Sequence, residues 1–159
     1  MILVLIVLSL ITFQKKHTDW KALVPLVTTR TQLEAQFGTP TSVNGNIFVY
    51  ETPDEKLHVW YGGGKFLGAN VCCWKVSNEI LFKFELVPKR VLPLAEMNID
   101  LTAFQKQKAP EMVNDYYYYN DNEGITITTR IVERAEVLFS VERGPTSAQR
   151  EKSCSKKNC

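Results

Sequence analysis

Histidine is scarce in this chain: two residues in 159, and His17 lies outside the stretch that reads as a folded domain. A hydrolytic triad would have to draw on His58 alone, which has no nucleophile or acid-base partner visible in sequence. An excess of one charge is also missing. Nineteen Lys and Arg against seventeen Asp and Glu give +2, so there is no electrostatic footprint for nucleic acid. Glycine and proline are few, at 8 and 7, while hydrophobic residues make up 45%. Low-complexity scaffolds and disorder are thereby excluded. The length suits one domain with a real core and is too short for two ordinary ones.

A long hydrophobic run is absent as well. The uncharged stretch over residues 2–13 is twelve residues long. As a helix it spans about 18 Å, short of the ~30 Å hydrocarbon core, so no stable transmembrane span is expected. Its length suits the apolar region of an export signal. The basic residues Lys15 and Lys16 follow the run rather than precede it, and no small-x-small cleavage site stands out. The alternative is a buried first strand of a cytoplasmic domain. The other end, residues 143–159, has almost no apolar side chains and is locally basic, which reads as a flexible tail. The expected organisation is an apolar or signal segment over 1–19, one domain over 20–142 and a Cys-containing tail over 143–159.

Within the domain, Thr29 with Gln32, or Thr31 with Glu34, has capping-box spacing. Leu33 and Phe37 then give one apolar face, and Gly38 with Pro40 ends a helix of about two turns. Strand signals follow. Residues 46–51 and 57–61 flank Pro53-Asp54 as a hairpin, and residues 66–75 and 79–87 flank Ser77-Asn78. Lys83 and Glu85 alternate with Phe82, Phe84 and Leu86, the pattern of a half-buried strand. Leu101 to Lys106 reads as a short turn of helix. Residues 116–119 and 124–131 flank a polar loop, and over 134–141 Val137 and Phe139 alternate with Glu136, Leu138 and Ser140. These elements predict an α+β fold, with one short capped helix packed on a mainly antiparallel, twisted sheet of about six or seven strands.

Few residues carry chemistry. Gly62-Gly63-Gly64-Lys65 is followed by Phe66 and lacks the upstream glycine of a phosphate-binding loop, so it reads as a turn. Asp115, Asp121, Asn122 and Glu123 fail the calcium-loop register, and no metal site or cofactor is expected. Tyr116, Tyr117, Tyr118 and Tyr119 put two rings on each face of a strand. Outward rings flanked by Trp60 or Trp74 would make a stacking platform for sugar or peptide. Cys72 and Cys73 point to opposite faces of a strand, and Cys154 and Cys159 sit in the tail. In an exported protein a bond from Cys72 or Cys73 to Cys154 would tie the tail to the sheet. In a cytoplasmic one all four thiols stay reduced.

The segment Trp20…Val24-Pro25-Leu26…Thr29-Arg30-x-x-Leu33-Glu34-x-x-Phe37-Gly38-x-Pro40, with Gly124-Ile125 and Val132-x-x-Ala135-x-Val137-x-Phe139, resembles a group of small, exported, uncharacterised bacterial proteins. The likeness extends over most of residues 20–141. The helix motif alone is similar to one in small outer-membrane assembly lipoproteins and the related β-lactamase-inhibitor-like folds. This chain has neither their lipidation Cys after the apolar run nor their pair of helices. The resemblance implies export and no particular activity.

The sequence thus predicts a non-catalytic, exported binding domain, periplasmic or secreted. Its expected partner is another envelope protein or a polymer, not nucleic acid. The alternative is a small enzyme in which the fold brings a carboxylate from another strand to His58.

Overall fold

The computed structural model describes residues 19–62, 73–74, 76–110 and 112–155. The apolar run over residues 2–13 lies outside them, as do Gly63, Gly64, Lys65, Cys72 and Cys159.

The helix α1 (Arg30–Phe37) forms where the capping pattern put it. Thr29 and Gln32 make the reciprocal capping box, and Gly38 leaves the helix at a φ of +79°, a conformation that favours glycine. Leu33 is fully buried from its inner face. The next elements are the strands β1 (Ser42–Asn44), β2 (Ile47–Glu51), β3 (Glu55–Tyr61), β4 (Cys73–Trp74), β5 (Leu81–Pro88), β6 (Leu92–Pro93), β7 (Gln105–Lys108), β8 (Asp115–Asn120), β9 (Ile125–Val132) and β10 (Ala135–Arg143). Helix α2 (Ser147–Ser153) and strand β11 (Cys154–Ser155) close the chain.

Nine of the strands form one antiparallel sheet in the order β1-β2-β3-β5-β10-β9-β8-β7, with β6 beside β10, while β11 pairs with β4 separately. This corrects the expected fold class. The domain is sheet-dominated, and an α+β fold with a helix on six or seven strands does not describe it. The strands that sequence missed have no period-2 apolar pattern to reveal them. β1 and β7 are exposed at every position, β7 reads Gln-Lys-Gln-Lys, and β6 has two residues. Backbone pairing with a neighbour, rather than burial of their own side chains, makes β1 and β7 strands, while β6 buries Leu92 but is too short to show a period. The helical turn expected over Leu101–Lys106 shrinks to a 3₁₀ turn at Leu101–Ala103, after which the chain joins the sheet as β7.

Register aligns the core across the sheet. Tyr50, Leu57, Leu86, Val141, Ile127 and Tyr118 are successive cross-strand partners on one face, and all are buried. Leu23, Leu33 and Trp20 join that core, with Phe37, Met97, Ile99, Leu101 and Phe104 packed against it. The Tyr50 and Tyr61 hydroxyls meet inside at 2.9 Å, which satisfies two polar groups that burial would otherwise strand.

On β10 the alternation expected from Val137 and Phe139 fails. A register shift between Leu138 and Ser140 inserts Phe139 as an extra residue. Phe139 is 45% exposed, and Leu138 takes a buried place. The stretch expected as a flexible tail from Arg143 contains α2 instead. It is anchored by the Ser147 N–H to the Asp121 carbonyl at 3.0 Å and by the Gln149 amide to the Pro25 carbonyl at 3.4 Å.

Candidate functional site

Opposite the core, residues with the other parity line an outer face. Val49, His58, Glu85, Glu142, Thr126, Tyr119 and Gln105 form one cross-strand row, reaching from β2 to β7. The charged groups in this region are largely matched. His58 Nδ1 lies 3.2 Å from Glu85 Oε2, and Lys83 Nζ is 2.8 Å from Glu142 Oε2. The same ammonium stands 4.4 Å from the Trp60 ring centre, within cation–π range. Glu51 accepts from Lys89 at 2.7 Å, and that contact together with Lys56 holds its carboxyl below the usual range.

The structure therefore supplies what sequence could not: a carboxylate from another strand beside His58. The pair lies on a sheet face, with both side chains about 30% exposed.

The rings expected to form one platform are not together. Tyr117 and Tyr119 share the outer face with Trp60, as cross-strand register dictates. Four strand-to-strand steps separate β3 from β8, about 19 Å. Tyr116 and Tyr118 point to the core face. Trp74 packs edge-on against Phe82, with ring centres 5.1 Å apart.

Tyr118 belongs to a compact polar cluster. Glu136 accepts from Thr129 Oγ1 at 2.6 Å, from the Tyr118 hydroxyl at 3.0 Å and from Lys106 Nζ at 3.1 Å. Burial pushes the Glu136 carboxyl up, but these donors outweigh it and leave it below the usual value. Lys106 also lies 4.4 Å from the Tyr116 ring centre. Of the acidic residues weighed for calcium, Asp115 is instead clamped by Arg130 through bonds of 2.7 and 2.8 Å, and Asp121 sits 3.6 Å from Arg150. Among the described residues, no three His, Cys, Asp or Glu side chains are grouped to hold a metal.

For Cys73 and Cys154 the backbone alone is described. β11 pairs with β4 so that Cys154 faces Trp74 and Ser155 faces Cys73.

A concave site lies at the other end of the core, where sequence gave no signal. A cleft of about 290 Å³ opens between the Trp20 turn, the Ile99–Phe104 segment, the loop ahead of β9 and the end of β10. Arg143 forms part of its wall, and its Nη1 donates to the carbonyls of Lys21 and Leu23 at 2.9 and 3.1 Å. Burial lowers the guanidinium pKa, partly offset by the charge of Glu123. Reading Arg143 as the first residue of a tail hid this role.

No family model matches this chain. No curated protein matches it either. Among solved structures it is similar to the crystal structure of a DUF4309 family protein, YjgB, from Bacillus subtilis subsp. subtilis str. 168, with 12% identity and a TM-score of 0.48 over 79% of this chain and 84% of that one. A likeness of that strength carries no argument about function. Among the described residues, no helix is long and apolar enough to cross a membrane.

Proposed function

We propose that this protein is a non-catalytic, exported binding domain that engages another envelope protein or a polymer through the outer face of its sheet. The observation that carries this reading is the face itself: a broad row across seven strands, with half-exposed rings at Trp60 on one side and Tyr117 and Tyr119 on the other. Two ring stations about 19 Å apart suit an extended chain lying across the strands, such as a peptide of about six residues at ~3.3 Å each. Between the rings Lys83 and Glu142 are already paired, and Glu85 has His58 as its hydrogen-bond partner. Export is supported by the apolar run over residues 2–13 and by the resemblance to small exported proteins.

The second reading, a small enzyme, is favoured by one contact, His58 to Glu85 at 3.2 Å. Incubating the full chain with purified cell-wall polymer, and separately with solubilised envelope proteins, tests both. Retention that falls in Trp60→Ala and Tyr119→Ala and survives His58→Gln supports binding. Release of soluble fragments that stops in His58→Gln overturns it in favour of catalysis.

A further inference from the structure

We infer that the cleft beside Arg143 is a second binding site, taking a carboxylate attached to a small apolar or aromatic group. The argument starts from charge. Arg143 is half-buried at the end of β10, and among the described residues it has no ion pair. Its Nε is buried and donates to nothing. The bonds from Nη1 to Lys21 and Leu23 go to neutral carbonyls, which fix the guanidinium without neutralising it. A partly desolvated cation of this kind has no counter-charge in contact, only the more distant Glu123, and a planar carboxylate, like a phosphate, matches the guanidinium fork.

The rest of the cleft narrows the class. Trp20, Phe104 and Ile125 line it, so the body of the ligand is apolar. A volume of about 290 Å³ is at the small end for ligand sites. Lys21 adds a second cation, whereas Asp100 and Glu123 add two carboxylates. Asp100 Oδ1 accepts from the Thr102 N–H and hydroxyl at 3.0 and 2.6 Å, which turns that oxygen toward its own 3₁₀ turn. Glu123 is exposed and stands beyond ion-pair distance of Arg143. Inorganic phosphate has no apolar body to set against Trp20, Phe104 and Ile125, so an anion that carries an apolar group is the better occupant. The carboxylate could belong to a free small acid or to the C-terminus of a peptide, and both offer the same chemistry.

The test is a titration of the full-length protein, followed by ¹⁵N–¹H correlation spectra, with four probes: phenylacetate, acetyl-Gly-Phe with a free carboxylate, phenylacetamide and inorganic phosphate. The two carboxylates are expected to shift the Arg143 side-chain resonance and the amides of Trp20 and Phe104. Tighter binding of the peptide assigns the site to a chain terminus, and tighter binding of phenylacetate to a free acid.

Arg143→Gln is expected to weaken the carboxylates about tenfold or more. Because that change also removes the tether to Lys21 and Leu23, exposed Glu123→Gln serves as the second variant and is expected to tighten binding about twofold to threefold. Equal binding of phenylacetamide, stronger binding of phosphate, no binding of either carboxylate, or weaker carboxylate binding in Glu123→Gln would each overturn the assignment. None of these results bears on the outer face, which is read by Trp60 and Tyr119.

Discussion

His58 on β3 and Glu85 on β5 stand directly opposite each other across an antiparallel ladder, with Nδ1 3.2 Å from Oε2. They are 27 residues apart in the chain, and only the pairing of β3 with β5 brings them into contact. Both side chains are about 30% exposed, and a solvent-accessible polar contact of this kind contributes about 0–1 kcal/mol. His58→Gln should therefore shift the urea midpoint only slightly, by less than about 1 kcal/mol in unfolding free energy. A loss above about 2 kcal/mol would mean the imidazole is a structural element of the sheet.

Leu33 is the buried anchor of α1, with 0% exposure. Leu33→Ala should cost about 2–5 kcal/mol, through lost transfer energy and the cavity left behind. Equilibrium denaturation followed by circular dichroism reads this directly. A cost below about 1 kcal/mol would show that α1 does not contribute to the core.

The capping box at Thr29 is a smaller effect on the same helix. The Gln32 N–H donates to Thr29 Oγ1 at 3.2 Å, and the Thr29 N–H donates to Gln32 Oε1 at 2.9 Å. Thr29→Ala should cost about 1 kcal/mol and speed amide exchange in the first turn of α1. Unchanged exchange there would remove the box from the account of helix stability.

Acid should weaken the β8–β9–β10 end of the sheet. The bidentate bond from Arg130 holds the Asp115 carboxyl below the usual range, and its donors hold Glu136 low despite burial. A lowered folded-state pKa stabilises the protein above the unfolded carboxylate value, about 3.9 for Asp and 4.3 for Glu. That stabilisation is lost as pH falls through the folded-state values. Stability should therefore drop steeply below about pH 4–5. Asp115→Asn should flatten the drop while lowering stability at neutral pH. An unchanged acid slope in Asp115→Asn and in Glu136→Gln would show that other groups govern it.

Gly124 holds the turn into β9 at a φ of +66°, and the backbone just past the end of β10 leaves no space for a side chain. A Cβ there would collide with the backbone carbonyl of Gly144, which cannot swing aside as a flexible side chain could. Gly144 N–H also donates to the Gly124 carbonyl at 2.8 Å, tying this turn to the end of β10 beside Arg143. Gly124→Ala should lower the melting temperature and disturb the Arg143 resonances together. A variant with native stability would mean the turn relaxes at little cost.

Local chemistry was legible in the residues themselves. Thr29, Gln32, Leu33 and Gly38 encode a capped helix through contacts within one or two turns. Pro53-Asp54 and residues 120–123 encode hairpins, and the alternation of Phe82, Phe84 and Leu86 with Lys83 and Glu85 encodes which face of β5 is buried. The tertiary structure alone decided which strands are neighbours. Strand order rests on backbone hydrogen bonds between distant segments, and those bonds are indifferent to side-chain pattern. For that reason β1, β6 and β7 went unread, and β10 was free to carry a bulge at Phe139. The same long-range pairing separates Trp60 from Tyr119 by four strand-to-strand steps, joins His58 to Glu85, and places Arg143 against Lys21, 122 residues away in sequence.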